Sequence, residues 1–360
     1  MGFDGITLMK INRFSYILFC FFTLTFSGCE QSDLKSATSE IGHHFFFDKR
    51  LSFNHTKSCA SCHAPSLAFS DGYRTSISAE GKSVLHNAPS LLNIAAMHFF
   101  DWANDSIQDL ETQMHRPLYN HNPIELGLDI HWNELKTLII QDKTYQKLFK
   151  EANISIDSIG PEIVIHTITA YLKQLNSLQS PYDSFLKGNQ HALREEQQQG
   201  MKLFFSSRLK CSTCHGGIYF SNATINNKKD SVYFNIGLYN IKNQHSYPYE
   251  DFGLGMNTHL EKDNGRYKVP SLRNVMITSP YMHDGSLANI QDVIKHYAQG
   301  GSVDSLNPHI GNGKNNTYKH ANIQGFSISD LEKKALISFL ESLTDTSYLH
   351  QNYFLNPWEN

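Results

Sequence analysis

Two short stretches hold residues whose types and spacing can do chemistry. Cys59-Ala-Ser-Cys62-His63 and Cys211-Ser-Thr-Cys214-His215 repeat one pattern, two thiols three apart with an imidazole directly behind them. On one helical turn, residues three apart project the same way. Two such thiols can bond to the two vinyl groups along one porphyrin edge. The following imidazole then reaches the iron, which is the spacing of covalent c-type haem attachment. A redox dithiol or a four-thiolate zinc site would also use paired cysteines. Neither needs a histidine behind each pair. The repeat therefore predicts two covalent c-type haems, attached at Cys59, Cys62, Cys211 and Cys214, with His63 and His215 as iron ligands.

The other two cysteines read as export chemistry. Lys10 and Arg13 precede the apolar run FSYILFCFFTLTF, and SGC follows, ending at Cys29. That order is a lipoprotein-type signal over residues 1–28, with Cys20 inside it and Cys29 as the lipidated first residue. Met9 offers a more typical signal opening than Met1. The expected location is periplasmic, with membrane contact only through the N-terminal lipid. Lys and Arg number 31 against 34 Asp and Glu, a net charge of −3, so no basic excess points to nucleic acid.

The elements that must position these motifs also come in pairs. GHHFFFDKRLS before the first motif resembles GMKLFFSSRLK before the second. APSLLN (88–93) resembles VPSLRN (269–274), and SIQDLETQM (106–114) resembles NIQDVIKHY (289–297). Each half reads as helix, haem site, long loop, Pro-Ser-Leu turn, helix. The expected fold is mostly α, two cytochrome c-like haem domains related by duplication. A linker spans 29–39, the N-terminal domain 40–185, the C-terminal domain 186–345 and a tail 346–360. Pro181 and the Gly188-Asn189 turn mark the boundary. The last strong helix opens on a Ser329/Glu332 capping box and carries a core stripe of Leu336, Phe339, Leu340 and Leu343. SVYFNIGLYNI (231–241) is the one plausible short strand pair.

The second axial position of each iron decides between electron carrier and catalyst. In the helix after VPSLRN, Ile290, Val293, Ile294 and Tyr297 share one buried face, and His296 lies off it. Met256, Met276, Met282 and His283 are rival ligands in predicted loops. Spacing alone leaves Tyr297 open between core residue and ligand.

NAPSLLN, a Trp, then ETQ…RPL…PIELG and KVPSLRNVMITSPYMHDGSLANIQDVIKHY resemble the bacterial di-haem cytochrome c peroxidase and MauG family, over residues of about 40–345. The resemblance implies that Tyr297 ligates the second haem, as in MauG, where well-known peroxidases place Met. It puts Ala79 where Met-type enzymes carry a distal His, which implies an open first haem, and leaves His86 structural. It implies Glu125 as the catalytic carboxylate, Gln113 and Pro117 as pocket residues, and Trp102 as an electron stepping stone between the haems. It implies one Ca2+ held by the Asn87 side chain and the carbonyls of Thr278 and Pro280. The activity implied is reduction of hydrogen peroxide with electrons from a small c-type cytochrome or copper protein. The alternative is MauG-like oxidation of a partner protein's side chains. A third reading is a non-catalytic di-haem electron-transfer lipoprotein.

Overall fold

The computed structural model describes residues 36–240, 251–303 and 311–359. The signal segment, Cys20, Cys29, most of the expected linker and Ile241 lie outside the described residues. Among the described residues no helix is long and apolar enough to cross a membrane.

Helix α1 (Ala37–Phe47) starts where the Ser36 hydroxyl accepts the Ser39 N–H. Its buried side includes Ile41, Gly42, Phe45 and Phe46, and it crosses α5 (Pro161–Leu172). The crossing is tight: a Cβ at Gly42 would sit 1.8 Å from the Thr167 carbonyl oxygen. The second half repeats the device. Helix α7 (Glu195–Phe204) crosses α10 (Asp330–Glu341), and a Cβ at Gly200 would sit 1.9 Å from the Ala335 carbonyl oxygen. Gly42 and Gly200 open the two matching sequence stretches, so the shared glycine has a shared physical reason.

Between these helices lie α2 (Leu110–Tyr119), α3 (Trp132–Gln141), α4 (Lys143–Glu151) and α6 (Pro181–Leu186), then α8 (Gly255–Thr258) and α9 (Ile290–Gln299). Helix α10 carries the expected Ser329/Glu332 capping box. One core gathers Phe45, Phe46, Phe69, Tyr145, Phe149 and Tyr171. A second gathers Phe204, Phe220, Ile294, Leu336, Phe339 and Leu343.

Two expectations need correction. The strand β1 (Tyr233–Asn235) pairs antiparallel with β2 (Arg266–Lys268), not within 231–241. The expected tail is core: Tyr348, Tyr353 and Phe354 are buried in the first cluster, and the Tyr348 hydroxyl donates to the Pro65 carbonyl at 3.0 Å. This segment packs through irregular turns, so it shows no helical or strand period to read.

Candidate functional site

Two cavities, of about 250 and 160 Å³, open inside this frame. Both far exceed the voids of a close-packed interior. Each has one Cys-x-x-Cys-His motif on its wall.

The smaller cavity is lined by Cys59, Cys62 and His63, by Gln113, Pro117 and Glu125, and by apolar residues including Phe46, Leu110, Leu126 and Ile168. Cys59–Ser61 forms a short turn that turns both thiols to one wall. The His63 Nδ1–H donates to the Phe69 carbonyl at 2.9 Å, which assigns the lone pair to Nε2. Burial lowers the His63 imidazole below its ordinary value and keeps it neutral, the form that ligates iron.

The larger cavity repeats the scheme with Cys211, Cys214 and His215. His215 Nδ1 lies 3.2 Å from the carbonyls of both Phe220 and Pro270, and burial pushes the ring down to about 4. The Pro-Ser-Leu turn explains its own recurrence here. Ser90 Oγ donates to the Ala68 carbonyl at 2.5 Å, and Ser271 Oγ donates to the Tyr219 carbonyl at 2.6 Å. Each serine thus fixes the residue just before the phenylalanine whose carbonyl orients the histidine.

The thiols argue against dithiol chemistry. Desolvation pushes Cys59 and Cys211 up to about 12, whereas reactive dithiols have lowered values. The two pairs occupy separate cavities, which removes a shared zinc site. Paired thiols, a tautomer-fixed imidazole and an apolar slot fit one c-type haem per cavity.

Polar groups sit where the first cavity needs them. Asn120 Nδ2 donates to Glu125 Oε1 at 3.0 Å, and desolvation is the main force raising the Glu125 carboxyl above its ordinary value. The Ala79 N–H donates to the Glu125 carbonyl at 2.9 Å, so Ala79 braces the backbone that carries the carboxylate. Gln113 Oε1 is buried without a hydrogen-bond partner. An orphaned acceptor of this kind is what a bound group or water satisfies. Pro117, inside α2, has no N–H to give the Gln113 carbonyl, and its own carbonyl accepts the Leu126 N–H at 3.1 Å.

Trp102 lines the larger cavity, and its indole N–H donates to the Asn87 carbonyl at 2.9 Å. The Lys268 N–H donates to the Trp102 carbonyl at 2.9 Å. Pro89 and Ile94 line both cavities, so they form a shared wall. Asn87, Ala88, Ser90, Met97 and Trp102 join them on the larger cavity, whose motif lies in the other half. Asn87, Thr278 and Pro280 line that same cavity. Asn87 Nδ2 donates to the Tyr73 carbonyl at 2.9 Å, which orients the side-chain amide.

Tyr297 projects from α9 into the larger cavity. Burial first, then Cys214 and Cys211, push its phenol well above the ordinary value. His296 is buried rather than simply off the packed face, but it points elsewhere: its Nε2–H donates to the Ile236 carbonyl at 3.0 Å. Of the rivals, Met282 and His283 line the cavity, Met276 packs in the second core and Met256 is 43% exposed. His86 is structural, with Nε2 2.9 Å from Asp251 Oδ2.

Sequence reasoning missed Lys268. It is buried in the larger cavity wall, its ammonium donates to the Phe100 carbonyl at 3.1 Å, and desolvation pushes it down to about 8. A lysine beside an apolar KVPSL run reads as a solvated charge. It also missed the pair Tyr267 and His283, whose rings stack 3.4 Å apart on that wall.

Comparison with known proteins adds the following. The family profile described as di-haem cytochrome c peroxidase matches residues 36–191. The methylamine utilization protein MauG of Methylophilus methylotrophus is 29% identical over 86% of this chain and 82% of its own length. Cytochrome-c peroxidase IdrP2 of Denitromonas iodatirespirans is 30% identical over 85% of this chain and 81% of its own length. The crystal structure of a MauG-like protein associated with microbial copper homeostasis superposes with a TM-score of 0.83 at 34% identity, covering 89% of this chain and 93% of that one.

Proposed function

Because the chain belongs to the bacterial di-haem cytochrome c peroxidase and MauG family, we propose that it is a di-haem enzyme that consumes hydrogen peroxide at the cavity of His63. A haem held there by Cys59, Cys62 and His63 would supply the iron chemistry for reaction with peroxide. The observation that carries the reading is one cavity holding His63, both thiols, Glu125 and the unpartnered Gln113 Oε1.

The protein's own work is proton handling and positioning. Asn120 holds Glu125 Oε1, so we assign Oε2 to take the proton from one peroxide oxygen and return it to the leaving one. Burial supports this role, because it moves the carboxyl toward neutral pH. Gln113 orients peroxide through its side-chain oxygen. Trp102 lies beside the shared wall and is assigned the transfer of electrons between the sites. Tyr297 is assigned as the second iron's ligand, supported by its place in that cavity. Asn87, Thr278 and Pro280 are assigned to one Ca2+.

Electrons come from a protein donor, a small c-type cytochrome or a copper protein. The second reading is MauG-like oxidation of a partner's side chains. Tyr297 in the larger cavity favours it, as does Ala79, which by resemblance replaces a distal His. Residence in the periplasm with a lipid at Cys29 remains part of the proposal, supported by the signal pattern.

The test is the ferric protein mixed with one equivalent of hydrogen peroxide, without reductant. A rapid absorbance change is the expected result. A change only after half-reduction would point to a reductively activated peroxidase. No reaction in either state would leave the non-catalytic electron carrier.

A further inference from the structure

Helix α1 carries a cluster that lies on the lining of neither cavity. Glu40, His43 and His44 fall at i, i+3 and i+4, one face of the helix. One ligating atom from each lies within 4.8 Å of the others. His43 is 2% exposed, and its Nε2–H donates to the Leu355 carbonyl at 2.7 Å. That bond assigns the lone pair to Nδ1. Nδ1 is buried, has no hydrogen-bond partner, and stands 3.5 Å from Glu40 Oε1. The buried Nδ1 lone pair thus faces a carboxylate, and a cation between them would satisfy it. A histidine with one nitrogen donating to a carbonyl and the other unused is held as metal ligands are held.

His44 completes the set. Its Nδ1 is 3.9 Å from the same Glu40 oxygen. In this structure that nitrogen donates to the Glu40 carbonyl at 2.9 Å. On ligation it gives up this bond, and the carbonyl keeps the N–H that the helix supplies. Zinc bonds of roughly 2.0–2.2 Å set neighbouring tetrahedral ligand atoms about 3.4 Å apart, so a small side-chain adjustment closes the site. Tyr171 stacks on His43 at 4.9 Å, and Trp358 packs edge-on against His44 at 5.1 Å. The Glu40 side chain, 29% exposed, leaves the way in.

We propose that Glu40, His43 and His44 bind one divalent transition ion of the zinc class. Two imidazoles and one carboxylate select such an ion over hard Ca2+ or Mg2+. Three protein ligands leave a fourth position for water.

The test uses the haem-loaded full chain, treated with a chelator and then dialysed against Zn2+, with zinc counted per haem. One zinc per chain at micromolar concentration is expected, with a rise in Tm and no competition from Ca2+. Glu40→Gln and His43→Gln should each weaken binding at least about tenfold. His121→Asn, at an exposed His–Asp pair, should leave it unchanged. Glu40→Gln keeps shape at a partly exposed position, and unchanged haem absorbance would show that it folds. Absence of stoichiometric zinc overturns the proposal. So does wild-type affinity in Glu40→Gln, which would put the zinc elsewhere.

Discussion

Glu125 has the clearest residue-level consequence. Burial raises its carboxyl, so the folded protein holds that proton to higher pH than the unfolded chain. Its contribution to stability is therefore present at low pH and lost as pH rises through the folded value. Glu125→Gln should lower peroxide turnover by about 10²–10⁴-fold. It should abolish the acid limb of the pH–rate profile and leave Tm at pH 8 unchanged or higher. Retained turnover with an unaltered profile would remove Glu125 from proton transfer. Tyr297→Phe should change the absorbance of the second haem alone and raise its potential, since it removes an oxygen ligand. An unchanged spectrum would return Tyr297 to the core. The haem motifs were fully legible because their chemistry is local in sequence. Asn120, which holds Glu125, and Lys268 were not, because their partners are set by folding and not by spacing.

At the scale of elements, the paired glycines fix how closely α1 meets α5 and α7 meets α10. Gly200→Ala forces a Cβ toward the Ala335 carbonyl, and backbone cannot give way cheaply. Overpacking of this kind costs about 1–3 kcal/mol, occasionally more. Calorimetry should show the loss, with the His215 haem disturbed more than the His63 haem. Gly42→Ala should reverse that order. Equal disturbance of both sites by either variant would mean that each crossing does not serve its own cavity. The helices were legible from caps and apolar faces: Ser329, Glu332 and the stripe of α10 stand as read. The strand partner of Tyr233–Asn235 was not, since a three-residue strand pairing across a long loop leaves no periodic trace.

Across the whole molecule, the described residues all fall within one compact unit. Hydrogen bonds run between the halves, as from Tyr233 Oη to the Asp101 carbonyl at 3.1 Å and from Asn257 Nδ2 to the Ala103 carbonyl at 2.7 Å. Across the expected boundary, Arg273 of the second half and Asp183 at the end of the first form a buried pair at 2.7 Å. Arg273→Met strands the carboxylate and should cost about 3–5 kcal/mol in denaturant unfolding. A cost below 1 kcal/mol would mean that water reaches Asp183. The repeat was visible in sequence because matching stretches do matching work. The contacts between the halves were not, because nothing in either copy encodes the other's surface. The shared wall of Pro89 and Ile94 has a consequence for inheritance. A gene with two similar halves looks ready for shuffling, each half a module to be moved alone. Here the second half would leave behind part of the lining of its own cavity, from Asn87 to Trp102. Recombination at the apparent seam would deliver an open cleft, so this pair can be passed on only together.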